Sequence, residues 1–106
     1  MIDKFFAELV GTFVFLAVII TSGHATSRTK EALTWLKIGL ALSISILLVG
    51  FISGAHLNPA VSWMLYINND INVESLVVYI VGQLFGATLA YFYYQYIKAY
   101  YPTTLI

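Results

Sequence analysis

The chain has 106 residues, of which 60% are hydrophobic and 9% are charged, and its formal net charge is zero. Soluble domains normally carry about 25% charged residues, so this composition leaves too little polar surface to cover a water-soluble fold. We therefore interpret the chain as a multi-pass integral membrane protein. The charge balance gives no basic footprint for nucleic acid, and the absence of cysteine excludes disulfides and thiol chemistry.

Three apolar segments are long enough to cross a membrane, because a spanning helix needs about 20 apolar residues. We predict these spans at about 5–23, 35–52 and 75–97. The stretch 24–34 between the first two spans is polar and charged, and it is predicted to be a loop. The predicted fold class is therefore an all-α membrane protein.

A fourth apolar segment, at about 58–67, is too short to span, since about ten residues of helix cover about 15 Å. Asn58 suits a helix N-cap and Pro59 suits the first helical position, so the start is well marked. The segment either re-enters the membrane as a half-helix or lies on the membrane surface. We favour re-entry because the segment lacks the charged face of a surface helix.

Re-entry would place the non-helical backbone of 53–57 at membrane depth, where it must be buried in protein or line a water-filled cavity. A helix N-terminus carries about half a positive charge. Pointed at a pore, it would repel cations and orient water or a hydroxyl group by its oxygen. Asn58 would add a neutral donor there, and the alternative is a plain N-cap that touches no solute.

Glu8 is an acidic residue inside the first predicted span, where such residues are costly and are functional candidates by default. One interpretation is a hydrated residue at the membrane interface. Another is an acid/base pair with His56, but no nucleophile or metal-binding set accompanies the two residues. We therefore predict no catalytic residue, no metal site and no cofactor, and we do not expect an enzyme.

Three short motifs follow one another along the chain: AELVGT at 7–12, SGAHLNPAV at 53–61 and GQLFGA at 82–87. Their order and content resemble those of the aquaporin and aquaglyceroporin family, over nearly the whole chain. The resemblance implies three transmembrane helices plus one re-entrant half-helix, which is half of an inverted-repeat channel. In such channels the half-helices of the two halves meet at the midplane.

The resemblance also implies roles for individual residues. Three residues would form the tip of the half-helix at mid-pore: Asn58, Pro59 and Ala60. Three would line the file of waters with their backbone carbonyls: Gly54, Ala55 and His56. Candidates for the selectivity filter and pore wall are Ile38, Val61 and Phe15. Candidates for bracing the loop are Glu8, Thr12 and Gln83, with Glu8 accepting hydrogen bonds from the loop and pairing with the His56 side chain.

The implied activity is passive conduction of water or of a small neutral solute such as glycerol across a lipid bilayer. Because the resemblance covers one half of the family's fold, we expect a second half to complete the pore. That half would be an antiparallel second copy or another half-length chain. The alternatives are a non-conducting interaction subunit of the membrane and a truncated fragment of a full-length channel.

The distribution of basic residues predicts how the chain is oriented in the membrane. With a re-entrant half-helix, Lys4 lies on one side of the membrane and four basic residues lie on the other: Arg28, Lys30, Lys37 and Lys98. The positive-inside rule then favours an outside N-terminus. A first half of the family has its N-terminus inside, so we interpret the conflict as support for insertion in either orientation.

Overall fold

Four α-helices make up the part of the chain that the computed structural model describes, residues 1–22 and 28–100. They are α1 (Ile2–Ser22), α2 (Arg28–Ser53), α3 (Pro59–Ile67) and α4 (Val73–Tyr100). Three of them, α1, α4 and α2 from Leu33 onward, are long and apolar enough to cross a membrane, whereas α3 has only nine residues. The prediction of an all-α membrane fold is confirmed.

The three long helices extend beyond the predicted apolar spans. Helix α1 begins at Ile2 instead of about residue 5, and its predicted end at residue 23 lies outside the described residues. Helix α2 begins at Arg28, so the prediction of a loop over 28–34 is wrong, while residues 24–27 of that loop lie outside the described part. Hydropathy marks only the apolar stretch, whereas arginine, lysine and glutamate are good helix formers that continue the helix beyond it.

Helix α1 lies between α2 and α4 and packs extensively against both, whereas among the described residues α4 reaches α2 only at the last residue of α2, Ser53, through a Tyr79 hydrogen bond. Glycines allow close packing of α1 against both α4 and α2. A Cβ atom at Gly86 of α4 would lie 2.5 Å from the Leu9 carbonyl oxygen of α1. A Cβ atom at Gly11, on the α2 side of α1, would lie 2.7 Å from side-chain atoms of both Val49 and Leu57. Residues without side-chain bulk thus let the helix backbones approach closely, as in other membrane bundles.

Helix α3 starts halfway along this bundle. Its N-cap is Asn58, whose Oδ1 accepts a hydrogen bond from the Ala60 backbone N–H at 2.8 Å. The preceding Leu57 reaches Gly11, which is near the middle of α1. Helix α3 packs against α4 and ends at Ile67, where Asn69 takes a left-handed conformation with φ 65°. The short helix therefore runs from the middle of the bundle to one end of it.

Candidate functional site

The loop between α2 and α3 has an unusual backbone. Gly54, Ala55 and Leu57 all have positive φ values, of 83°, 51° and 57°. This conformation is easy for glycine, but it costs an alanine or leucine roughly 1 kcal/mol or more. The surrounding structure must therefore hold the loop in place.

A single buried carboxylate holds much of the loop. Glu8 has no solvent-exposed surface, and its two oxygens accept four hydrogen bonds. Oε2 accepts from the Ser53 hydroxyl at 2.6 Å and from the His56 backbone N–H at 3.1 Å. Oε1 accepts from the Leu57 backbone N–H at 2.8 Å and from Gln83 Nε2 at 2.9 Å. Glu8 thus connects α1 to the end of α2, to the loop and to α4 through charge-assisted hydrogen bonds.

The His56 side chain contacts Ser62 and Tyr79 and makes no hydrogen bond to this carboxylate in the described structure. Its Nδ1 lies 2.9 Å from the Ser62 hydroxyl, which also accepts a hydrogen bond from Gln83 Nε2 at 3.0 Å. The ring stacks on Tyr79, with ring centroids 3.9 Å apart. The prediction that Glu8 pairs with the His56 side chain is therefore wrong, and only the backbone N–H of His56 reaches Glu8. The left-handed residues on either side of His56 turn its backbone toward α1 and its ring toward α3 and α4.

Tyr79 braces the loop from α4 in a second way, because its hydroxyl donates a hydrogen bond to the Ser53 carbonyl. We expect Tyr79→Phe to lower the free energy of unfolding by about 1 kcal/mol, since the ring stack stays and one buried hydrogen bond is lost. Thermal unfolding of the purified chain in detergent, followed by circular dichroism, would measure this. Tyr91→Phe is the matched control because Tyr91 is half-exposed. Equal midpoints for the two variants would contradict the bracing role.

Three residues of this network were not predicted as site residues: Ser53, Ser62 and Tyr79. Each had a signal in the sequence. Ser53 and Ser62 are hydroxyl residues in apolar surroundings, and Tyr79 lies one helical turn before Gln83, on the same face.

Thr12 and the candidates for the filter and pore wall lie outside this hydrogen-bond network. Thr12 is buried, but its hydroxyl has no hydrogen-bond partner among the described residues, and it packs at the position of Gly86. It therefore does not brace the loop by a hydrogen bond, because it lies one turn beyond Glu8, where α1 meets α4. The candidates for the filter and pore wall are all half-buried: Phe15, Ile38 and Val61.

The tip of α3 and the loop before it present unused hydrogen-bonding groups. Asn58 is exposed, and its Oδ1 accepts from Ala60, while no acceptor in the described residues takes its Nδ2 hydrogens. The carbonyls of Gly54, Ala55 and His56 likewise accept no hydrogen bond from the described part of the chain. The site therefore offers a row of three acceptors that leads to a donor at the start of a helix.

Comparison with known proteins agrees with this geometry. The family model described as major intrinsic protein matches residues 1–102. The chain is 38% identical to glycerol uptake facilitator protein-like 6 of Lactiplantibacillus plantarum over 87 residues, which are 82% of this chain and 40% of that protein. It is 37% identical to aquaglyceroporin-2 of Rhizophagus irregularis over 103 residues, which are 91% of this chain and 33% of that protein.

A plant protein, aquaporin NIP3-1 of Arabidopsis thaliana, is 34% identical over 96 residues, which are 84% of this chain and 29% of that protein. The chain thus spans less than half the length of each of these three relatives. No solved structure matches it significantly. The family match over residues 1–102, with the three long apolar helices, shows that the chain is an integral membrane protein of the major intrinsic protein family.

Proposed function

We propose that the chain is a channel unit that conducts water or a small neutral solute such as glycerol. The observation that carries the proposal is the row of carbonyls at Gly54, Ala55 and His56, which leads to the Asn58 amide and has no hydrogen-bond donor within residues 1–22 and 28–100. Backbone carbonyls at membrane depth need partners, and a file of waters or hydroxyl groups would supply them.

The electrostatics of the tip favour neutral solutes. The N-terminus of α3 points its partial positive charge at the same place as the Asn58 amide. Cations would be repelled there, whereas a water or hydroxyl oxygen could accept from the amide and donate to a loop carbonyl. The named relatives include a glycerol uptake facilitator-like protein and an aquaglyceroporin, which supports solutes of this class.

We further propose that a second half-repeat completes the pore, as a second copy or as another half-length chain. Three residues at the tip are exposed in the single chain: Asn58, Pro59 and Ala60. Lipid would leave the loop carbonyls without partners, so these groups need a facing protein surface or water. Phe15, Ile38 and Val61 would then contribute apolar walls to the passage.

Stopped-flow light scattering of vesicles that contain only this chain would test conduction. We expect Asn58→Asp to reduce water permeability to that of empty vesicles, because aspartate still caps α3 but replaces the amide donors with a negative charge. Asn72→Asp is the matched control, since Asn72 also caps a helix: its Oδ1 accepts from the Ser75 N–H at 2.9 Å ahead of α4. Recovery of vesicle volume in glycerol after the first shrinkage would identify glycerol as a solute.

One outcome would contradict the role of Asn58, and a second would contradict conduction by copies of this chain alone. Equal permeability of the two aspartate variants would show that Asn58 does not face the solute. Permeability no higher than that of empty vesicles, from wild-type chain shown to be folded and inserted, would favour a non-conducting subunit or a pore that needs a different half.

A further inference from the structure

Helix α2 is largely exposed in the described structure, except on the face that packs against α1. Ala41, Ser45 and Val49 are buried on the face that packs against α1. A second face carries four residues, which we call the open face of α2: Gly39, Ser43, Ile46 and Gly50. A Cβ atom at Gly39 would meet nothing within 4 Å.

The open face continues into the candidate pore. A Cβ atom at Gly50 would lie 3.9 Å from the Ala55 side chain, at ordinary contact distance. Ala55 belongs to the loop whose carbonyls have no partners in the described residues. A protein surface seated on the open face would therefore also adjoin the incomplete pore.

The charges at the two ends of the bundle indicate which protein surface would pack on the open face of α2. Four charged side chains lie at the end of the bundle where α1 begins and α3 ends: Asp3, Lys4, Asp70 and Glu74. Two described charged side chains lie on the opposite side, Lys37 and Lys98. The formal charge of the described side chains is therefore −2 at the first end and +2 at the second. An inverted copy would set each acidic end beside a basic end, whereas a parallel copy would set like charges together.

The spacing of the open face suits such a copy. Residues 39, 43, 46 and 50 are separated by steps of four, three and four, so the pattern is the same in both directions. Its centre, between Ser43 and Ile46, is close to the middle of the membrane-spanning part Leu33–Ser53. In an antiparallel crossing Gly39 would face the Gly50 position of the other copy, as a two-fold interface requires. Glycines at both ends of the contact allow close packing.

We propose that a second, inverted copy of this chain packs on the open face of α2, with a two-fold axis that passes between Ser43 and Ile46. This inference rests on the proposed channel function and names the partner that completes the pore. The arrangement covers the approach loop of each copy with the other copy.

Disulfide cross-linking tests the register directly, because the natural chain contains no cysteine. In the antiparallel arrangement two copies of residue 43 are about 4.5 Å apart along the helix axis, and two copies of residue 39 are about 16 Å apart. A disulfide needs Cα atoms about 4.4–6.8 Å apart. Purified Ser43→Cys chain in vesicles should therefore cross-link to itself on mild oxidation, and Gly39→Cys should not. The double variant Gly39→Cys with Gly50→Cys should cross-link again.

Leu47→Cys is the control for random collision, because Leu47 is 79% exposed and lies about one helical turn from Ser43 but off the open face. Cross-linking of Leu47→Cys equal to that of Ser43→Cys would overturn the proposal. So would self-cross-linking of Gly39→Cys, which indicates parallel packing, or no cross-link in any variant.

Water permeability is measured separately on the same vesicles. Conduction without cross-linking rejects only this interface, and cross-linking without conduction rejects only the channel function.

Discussion

Replacing Glu8 with glutamine is expected to lower the free energy of unfolding by about 3 kcal/mol or more and to abolish water permeability. Glutamine has the same shape, but one of its two terminal groups is an NH₂ donor. That group would face donors of the loop or of α4, because all four partners of Glu8 donate to it. Each hydrogen bond to a buried charged group contributes about 1.5–3 kcal/mol, and an unsatisfied donor adds a further cost.

Glu74→Gln makes the same chemical change at an exposed position in the first turn of α4 and serves as the control. Unfolding in detergent, followed by circular dichroism, would give the stabilities, and vesicle shrinkage would give the permeabilities. If Glu8→Gln matched Glu74→Gln in both measurements, the carboxylate would not be what holds the loop.

Gly86→Val is expected to prevent α4 from packing on α1, with a loss of stability of about 3 kcal/mol or more. Any Cβ atom at residue 86 would lie 2.5 Å from the Leu9 carbonyl oxygen and 3.0 Å from the Phe13 backbone nitrogen. These are backbone atoms, so they cannot move aside by changing rotamer, and overpacking of a side chain alone already costs about 1–3 kcal/mol. Because α4 carries Gln83, the loop network should fail as well.

Gly39→Val provides the comparison, since nothing lies within 4 Å of a Cβ atom there. In detergent-solubilised single chains we expect its unfolding midpoint to stay at or above that of the wild type, because valine is a better helix former than glycine. Equal destabilisation by the two substitutions would mean that loss of glycine, and not the α1–α4 contact, causes the effect.

The features that the sequence predicted well have local causes. Asn58 and Pro59 mark the start of α3 because a cap needs a side-chain acceptor and the first helical position tolerates proline. Glu8 stood out because a charge within an apolar span demands partners. Both signals depend on chemistry at one position, so they can be read without knowing the fold.

The features that the sequence did not predict depend on backbone direction and on distant neighbours. The orientation of His56 follows from left-handed Ala55 and Leu57, and neither residue type signals that conformation. Tyr79 resembles an ordinary membrane aromatic until Ser53 is placed beside it. The early start of α2 was missed because hydropathy does not report helix that continues into water.

The long sequence separation between Glu8 and Gln83 has a consequence for insertion into the membrane. Gln83 follows Glu8 by 75 residues, so α1 leaves the ribosome well before α4 exists. An acidic residue within an isolated membrane helix is unfavourable during insertion until it finds hydrogen-bond partners. Helix α1 should therefore hold its place in the bilayer only weakly until α4 has been inserted. Insertion of these helices is then cooperative, with α1 secured by α4.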